Sequence, residues 1–122
     1  MTQSTGDKSK ARHIAFDGLS FQPRFEYGAQ AEVAAVTGSE DGTKLGTGYV
    51  RFTEASIPWT VKYDEVIVVI EGEVTVETDD GDLVLGPRDS VWLPKGTKLV
   101  YRSASALVFY AIYPSNWAEQ QT

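Results

Sequence analysis

Short stretches in which apolar and polar residues alternate run through most of the chain, and turn-forming residues separate them. Residues 73–78 show the clearest alternation, which is typical of a strand with one buried and one exposed face. Asp79, Asp80 and Gly81 follow directly, and an Asp-Gly pair supplies the positive φ angles that a hairpin turn needs. Evenly spaced short strands with almost no helical periodicity predict an all-β domain, either a sandwich or a barrel.

The same pattern predicts a series of strands from residue 31 onward. The segment 65–70 is rich in β-branched residues, which favour strands, and the segment 106–113 is almost wholly apolar, which indicates a central buried strand. Residues 38–42 begin and end with glycine and predict a loop. The predicted strands are residues 31–36, 48–52, 65–70, 73–78, 82–85, 89–93, 98–102 and 106–113.

The chain has 122 residues, the size of one domain that buries a core without disulfides. Its formal net charge of -6 argues against nucleic acid or an anionic membrane surface as a partner. The absence of cysteine excludes thiolate metal sites and cysteine nucleophiles, and no apolar run is long enough for a membrane-spanning helix. The polar first residues lack a secretory signal, so we expect a cytoplasmic protein with a flexible arm over residues 1–12 and one domain over residues 13–122.

The most informative motif lies between residues 57 and 74. An acidic residue, Glu65, enters a hydrophobic strand, six residues separate it from Gly72, and a second strand follows the glycine. This spacing resembles the first motif of a cupin barrel. Cupins usually place two histidines just upstream of that acid and a third histidine in a later motif, where together they hold a metal ion.

Five short motifs extend the resemblance to the cupin domain of the EutQ family of ethanolamine-utilisation proteins, over about residues 46–118. The resemblance implies a single-domain cupin double-stranded β-helix, also called an RmlC-like jelly-roll barrel. It also implies a homodimer, in which the apolar segment 31–36 packs between two barrels or is exchanged between them. Longer family members carry an additional N-terminal segment, and activities that depend on it are not expected of this sequence. The motifs are Pro58-Trp59-Thr60, Tyr63-Asp64-Glu65, Glu71-Gly72, Leu93-Pro94-Lys95-Gly96 and Tyr113-Pro114-Ser115-Asn116-Trp117.

The residues at the cupin ligand positions do not suit a transition metal, and the single histidine, His13, lies next to the predicted arm. We therefore expect no transition-metal cofactor. Weak binding of Mg²⁺ by Glu65 and Asp64 stays open, because magnesium needs only one or two carboxylates and a substrate phosphate. The positions of the missing histidines are Pro58 and Thr60, or Trp59 and Val61, in the first motif, and Leu99 in the second.

Glu65 is the first candidate catalytic residue. In the cupin frame it points into the barrel, where an apolar pocket would raise its pKa and suit it to proton transfer. The alternative is a structural carboxylate held by backbone groups or by Arg51. Tyr63 lies two residues earlier, on the same face of an extended strand, where its hydroxyl either donates to a developing oxyanion or is a packed aromatic.

Tyr49 and Arg51 share one face of the segment 48–52, and Val50 and Phe52 share the other. If the first face is inward, Tyr49 supplies a catalytic hydroxyl and Arg51 a guanidinium that binds a carboxylate or phosphate group. If the second face is inward, Tyr49 and Arg51 are surface residues. The alternation leaves both arrangements open.

Four aromatic residues complete the candidate substrate-binding set. Trp59 stands at a position that a metal ligand would occupy, and we expect it to line or plug the mouth of the pocket. The other three either line the barrel or belong to its core. They are Trp92, Tyr101 and Tyr110.

These residues favour a metal-independent enzyme that uses the barrel pocket for acid/base chemistry of the lyase, dehydratase or isomerase type. Glu65 would be the acid/base, Tyr63 or Tyr49 the hydrogen-bond donor, and Arg51 the anchor for a small polar or anionic metabolite. The missing metal ligands suggest an alternative, a non-catalytic binding or accessory protein in ethanolamine or aldehyde catabolism. The EutQ resemblance also implies an acetate-kinase-like activity, although the sequence has no glycine-rich phosphate loop. A hydrolase of the Ser-His-Asp type is not expected either, because the single histidine lies next to the predicted arm.

Overall fold

Strands form most of the protein. The computed structural model describes residues 10–121, so most of the predicted arm lies outside the described part. Short 3-10 helices at Phe16–Gly18, Phe25–Tyr27, Ser39–Asp41 and Trp117–Gln121 join or flank the strands, and no helix within residues 10–121 is long and apolar enough to span a membrane. The strands are β1 (Gln22–Pro23), β2 (Ala31–Thr37), β3 (Gly46–Thr60), β4 (Asp64–Gly72), β5 (Val74–Thr78), β6 (Gly81–Leu85), β7 (Ser90–Leu93) and β8 (Lys98–Tyr113).

The strand pairs are antiparallel, and β8 occupies the centre of the sheet. β3 pairs with the whole of β8, from Gly46 opposite Ile112 to Thr60 opposite Lys98. The second half of β8 also pairs with β4, and its first half with β5. The order is β1-β2-β3-β8-β4-β7, and β6 pairs with β5. The arrangement confirms the all-β fold that the alternation predicts.

The predicted break between two strands at residues 103–105 is wrong, because β8 is continuous from Lys98 to Tyr113. Two serines in this stretch resemble a turn in the sequence. In the fold, Ser103 and Ser105 pair with residues of β3. The Ser103 hydroxyl donates to the backbone carbonyl of Glu73 at 2.6 Å, so this small polar side chain is satisfied within the sheet.

Two further boundaries differ from the prediction. The strand predicted over residues 48–52 is one part of β3, which continues through the Pro58-Trp59-Thr60 motif. The loop predicted over residues 38–42 contains the 3-10 helix Ser39–Asp41. The remaining predicted strands agree with β2, β4, β5, β6 and β7 to within two residues at each end.

The N-terminal part of the described chain lies against the barrel. Arg12, which the sequence assigns to the arm, forms a salt bridge with Asp41, Nη2 to Oδ1 at 2.8 Å. β1 pairs with β2, and the backbone N–H of Arg24 donates to the carbonyl of Ala31 at 3.0 Å. These contacts hold the segment beside β2. They bring its residues Arg24 and Tyr27 to the interior of the barrel.

The interior has two regions that differ in what fills them. Four aliphatic side chains with exposed fractions between 0% and 7% form a closely buried region, which we call the aliphatic end. A cavity occupies the other region. The inward positions of β4 pass from Glu65 and Ile67, which line the cavity, to Val69, which belongs to the aliphatic end. The members of the aliphatic end are Val69, Val74, Val76 and Leu85.

The turn after β4 depends on Gly72. Its φ of +83° lies in the left-handed region, which residues with a side chain rarely adopt. A Cβ atom at this position would overlap the backbone carbonyl oxygen of Ser105. Glycine therefore lets the end of β4 approach β8, as the turn predicted from the sequence motif requires.

Candidate functional site

A cavity of about 300 Å³ lies inside the barrel, against β3, β4 and β8. Its volume is at the lower end of the range for small-molecule pockets. The wall is mostly aromatic and aliphatic. Among the described residues that line it, Glu65 and Arg24 are the charged ones.

Glu65 is buried in this wall, with 6% of its surface exposed. The strict alternation of β4 turns its side chain inward, as the sequence predicts. Its Oε1 accepts a hydrogen bond from the Tyr101 hydroxyl at 3.2 Å. Burial raises the pKa of Glu65 to about 7, and the Tyr101 hydrogen bond and the charge of Arg24 limit the rise. The carboxyl group therefore changes its protonation state near neutral pH.

Three tyrosines of the predicted set, Tyr63, Tyr101 and Tyr110, line the same cavity. Burial, followed by the negative charge of Glu65, raises the pKa of Tyr63 to about 12 and the pKa of Tyr101 well above its ordinary value. Burial also raises the pKa of Tyr110. All three phenols are therefore neutral near pH 7 and can donate hydrogen bonds.

Gly48 explains how Tyr110 reaches the cavity. A Cβ atom at residue 48 would lie 2.7 Å from the Tyr110 hydroxyl oxygen and 2.6 Å from the Ala34 carbonyl oxygen. The missing side chain thus leaves space for the phenol between β2 and β8.

Arg24 is the functional residue that the sequence analysis misses. Its guanidinium carbon lies 5.1 Å from the centre of the Trp59 ring, a cation–π contact. It also donates a hydrogen bond to Tyr63, and its positive charge lowers the pKa of that phenol and of Glu65. The only signal in the sequence is an arginine among the aromatic residues of 21–27, which carries no strand or helix periodicity.

Trp59 lines the cavity, as expected for a residue at its mouth. Its ring contacts Trp117 edge-on, with the ring centres 6.0 Å apart. Its indole Nε1 is buried and makes no hydrogen bond with any described residue. The N–H nevertheless lies near enough to the Tyr63 hydroxyl to lower the pKa of that phenol. A buried donor without an acceptor is costly, which makes this atom a candidate contact for a ligand.

Tyr49 and Arg51 do not line the cavity, so the inward arrangement considered for them is wrong. Val50 and Phe52 of the same strand line it instead. The Arg51 side chain is exposed, and its guanidinium carbon lies 4.9 Å from the centre of the Phe21 ring. Arg51 is therefore on the outer face, and the arginine in the cavity is a different residue.

Two predicted aromatic residues also lie outside the cavity. The Tyr49 ring packs between Phe16 and Phe109, with ring centres 5.1 Å away in each case. Trp92 is 58% exposed on β7, because the inward positions of that strand are the buried Val91 and Leu93. The short segment 89–93 contains apolar residues on both faces, so its sequence does not reveal which face is inward.

The donor set does not fit the metal ion that a cupin barrel usually holds. At the expected ligand positions, Val61 and Leu99 are buried apolar residues with 1% and 3% exposure. Within residues 10–121 no group of three or more His, Cys, Asp or Glu side chains lies close enough to share an ion. Asp64 accepts a hydrogen bond from the Lys95 backbone N–H at 3.0 Å on the exposed face, whereas Glu65 is buried, so the structure does not bring these two carboxylates together.

The chain matches the model of the family described as ethanolamine utilisation protein EutQ over residues 9–119. It is 30% identical over 106 residues to the protein named acetate kinase EutQ of Salmonella typhimurium (strain LT2), which covers 83% of this chain and 46% of that protein. The chain spans about a third to a half of the length of the curated relatives that it matches.

Solved structures share the fold. A crystal structure of an ethanolamine utilization protein Q from Salmonella typhimurium LT2 matches with a TM-score of 0.81 at 22% identity, covering 94% of this chain and 93% of that one. A sugar phosphate isomerase from a cupin superfamily, from Silicibacter pomeroyi DSS-3, matches with a TM-score of 0.66 at 16% identity, covering 84% and 75%. These likenesses confirm the predicted cupin fold. Because the family model covers residues 9–119, this chain belongs to the EutQ family of ethanolamine utilisation proteins.

Proposed function

We propose that the chain is a metal-independent enzyme that removes a proton from a carbon atom of a small polar or anionic metabolite and returns it, in chemistry of the lyase, dehydratase or isomerase type. The proposal depends on one observation. Glu65 is 6% exposed in the wall of a cavity, and burial raises its pKa to about 7. Both protonation states of such a carboxyl group are populated near neutral pH, which suits a general acid/base.

The neighbours of Glu65 have separate roles in this proposal. Tyr101 orients the carboxyl group through its hydrogen bond to Oε1, which assigns proton transfer to Oε2. Tyr63 receives a hydrogen bond from Arg24 on its oxygen, so its own O–H can donate to a substrate or leaving group. Arg24, and not Arg51 as considered from the sequence, is the positively charged residue that lines the cavity. Trp59 and Tyr110 complete the substrate-binding wall.

The test is exchange of carbon-bound hydrogen in D₂O, because proton removal from carbon is common to these reactions. A panel of small aldehydes, ketones, hydroxy acids and oxo acids is incubated with the protein, and loss of the C–H signal is followed by proton NMR. We expect exchange of at least one compound and a loss of about 10²-fold or more in Glu65→Gln, the contribution usual for a general base.

Asp64→Asn is the matched control. It changes the adjacent carboxylate, which lies on the exposed face, and we expect exchange at the wild-type rate. The proposal is wrong if no compound of the panel exchanges, or if Glu65→Gln exchanges as fast as Asp64→Asn. Near-ultraviolet circular dichroism of both variants establishes that the fold is intact.

The name of the curated relatives supports a second candidate, phosphoryl transfer between a nucleotide and a small carboxylate. A cavity of about 300 Å³ with an aromatic wall is small for a nucleotide, so the nucleotide would need a further surface. Isothermal titration with Mg-ATP decides this candidate, and absence of binding rules it out for this chain. Binding of Mg-ATP that Glu65→Gln weakens would place the phosphate at the cavity.

A third candidate is a non-catalytic accessory protein of ethanolamine or aldehyde catabolism, which the apolar residues at the metal positions favour. It predicts a stable protein partner and no exchange of any compound. Recovery of no partner from a tagged, cross-linked purification, together with Glu65-dependent exchange, would exclude it.

We also propose that the protein is a cytoplasmic homodimer that associates through the outer face of β4 and β7. Val66 and Trp92 are opposite each other on these strands and are 41% and 58% exposed, and β7 is an edge of the described sheet. Apolar residues beside an open edge favour association. A dimer that exchanges the segment 31–36 or packs it between two barrels is the alternative expected from the sequence. Light scattering on wild type and Trp92→Ser is the test, and a monomeric wild type contradicts the dimer.

A further inference from the structure

We propose that Arg24 and the indole N–H of Trp59 form an oxyanion-binding pair, which holds the carbonyl oxygen of a small aldehyde or ketone while Glu65 removes a proton from the neighbouring carbon. This inference rests on the proposed function and adds to it the class of substrate and the groups that stabilise the intermediate. Both residues line the same cavity as Glu65.

The first observation is the effect of the positive charge of Arg24 on the acidic groups of the cavity wall. Its charge lowers the pKa of four groups in or beside the cavity wall, Glu65, Tyr63, Tyr101 and Tyr110. These four groups come from β4, β8 and the segment before β4. Burial still raises the pKa of all four groups, so Arg24 offsets part of the cost that burial imposes on negative charge at this wall.

The second observation is the unused donor on Trp59. Nε1 is buried and has no hydrogen-bond acceptor among the described residues. The ring itself is fixed, because Arg24 lies over it at 5.1 Å and Trp117 contacts it edge-on at 6.0 Å. A fixed, buried N–H without a partner is the kind of preorganised donor that stabilises a developing oxyanion.

The proton transfer balances within these groups. The C–H bond beside the carbonyl breaks, its proton moves to Oε2 of Glu65, and its electron pair forms a carbon–carbon double bond. The carbonyl electrons move to oxygen, which becomes an enolate held by Arg24 and Trp59. Glu65 then returns the proton to the same carbon or to a neighbouring one, or protonates a departing hydroxyl group, which regenerates the starting carboxylate.

The two donors contribute differently to the rate. One negative charge is in the cavity before and after the step, first on Glu65 and then on the enolate. Arg24 therefore stabilises both states. The N–H of Trp59 approaches only the neutral Tyr63 hydroxyl among the described residues and gains a stronger acceptor as charge moves to the substrate oxygen, so its contribution increases toward the transition state.

The test uses 4-nitrophenol, a small oxyanion probe whose anion alone absorbs visible light. It is titrated in the Glu65→Gln protein, where no carboxylate competes with the phenolate. We expect the pKa of the bound dye to be about one unit or more below its value in the same protein with Arg24→Gln added, since a hydrogen bond to a charged group contributes about 1.5–3 kcal/mol.

Added substitutions in the same background separate the donors. Arg24→Gln should raise the dye's pKa by about one unit or more. Trp59→Phe keeps the ring beneath Arg24, removes the N–H, and should raise the dye's pKa by up to about one unit. Arg51→Gln, on the outer face, should change nothing. The inference is overturned if the dye does not bind, if Arg24→Gln does not raise its pKa, or if Trp59→Phe titrates like its parent.

Carbon–hydrogen exchange distinguishes a failure of this inference from a failure of the proposed function. If Glu65→Gln abolishes exchange while Trp59→Phe and Arg24→Gln exchange like wild type, the acid/base proposal stands and the oxyanion pair is wrong. If both substitutions raise the dye's pKa but no compound exchanges, the pair binds oxyanions and the enzymatic proposal is wrong.

Discussion

The aliphatic end and the cavity share strands, yet they differ in what they contribute. On β4, Val69 is 0% exposed and does not line the cavity, whereas Glu65, on the same face four residues earlier, borders it. Close packing stabilises the first region. The second region loses contacts to an empty volume and buries a titratable group, both of which destabilise the fold. We therefore infer that the close packing of the aliphatic end offsets the loss of stability in the cavity region.

The largest expected effect tests this difference directly. Leu85→Ala in the aliphatic end should lower the free energy of unfolding by about 2–5 kcal/mol. Ile67→Ala in the cavity wall should cost about half as much, because Ile67 already faces a void on one side and loses fewer contacts. Urea unfolding of the two variants measures both values, and an equal loss would contradict the comparison.

The next prediction concerns pH and applies only to the cavity region. The pKa of Glu65 is about 7 in the fold against an ordinary value of 4.5, so the folded state holds this proton more tightly than the unfolded state. The protonated Glu65 carboxyl group therefore contributes fully to stability below about pH 4.5. This contribution is lost as the pH rises to about 7, and the stability does not change further above that pH through this group. The loss corresponds to about 3 kcal/mol.

Unfolding of wild type and Glu65→Gln between pH 4.5 and pH 8 measures this contribution. Relative to the variant, wild type should lose stability as the pH rises from 4.5 to about 7, and the difference should then stay constant. Asp64→Asn, on the exposed face, should keep the wild-type slope. Parallel pH profiles for wild type and Glu65→Gln would show that the carboxyl group is not held in its protonated form.

A smaller effect is expected for the hydrogen bond that supports Glu65. Tyr101→Phe removes the donor to Oε1, and that hydrogen bond lowers the pKa of Glu65. The pKa of Glu65 should therefore rise by up to about one unit, since a hydrogen bond contributes about 0.5–1.5 kcal/mol. Carbon-13 NMR of the labelled glutamate carboxyl group measures it. A fall in the pKa would mean that Tyr101 does not donate to the carboxylate.

The smallest effect lies outside both regions. Arg51→Gln removes an exposed guanidinium that stacks on Phe21, and we expect the free energy of unfolding to change by about 0.5 kcal/mol or less. Arg24→Gln, by contrast, should alter the pH profile of Glu65. Thermal unfolding at two pH values compares the variants, and a pH-dependent effect of Arg51→Gln would place its charge closer to the cavity than the structure does.

Local signals explain why the sequence predicts most of the fold. The alternation in residues 73–78, the Asp-Gly turn and the glycine that ends β4 each determine structure within a few residues. The inward face of β4 was also predictable, because in the cupin motif that this segment resembles the acid separated from the glycine by six residues points into the barrel. The continuity of β8 was not predictable, because Ser103 and Ser105 carry turn character locally and become strand residues only through pairing with β3.

The candidate site was predictable only in part, for a related reason. The cavity is lined by Glu65 and Trp59, which the cupin resemblance indicates, and by Tyr63, which strand spacing places on the face of Glu65. It is also lined by Tyr101 and Tyr110, for which the sequence leaves open a place in the wall or in the core. On the segment 48–52 both faces combine large side chains, so the alternation did not say which face is buried. Arg24, the positively charged residue of the cavity, lies in a segment without strand or helix periodicity. Its position depends on the packing of this segment against β2, which a local sequence pattern does not predict.

The central position of β8 has a consequence for how the site comes into existence. Tyr101 and Tyr110 lie on this strand, Glu65 lies in the middle of the chain and Arg24 near its beginning, so no fragment shorter than residues 24–110 contains the acid and all of these partners. Pairing β3 with β8 closes a long loop, which makes such contacts late events in folding. The raised proton affinity of Glu65 thus arises only once the whole barrel has closed, and it would serve as a spectroscopic marker for the final step of assembly.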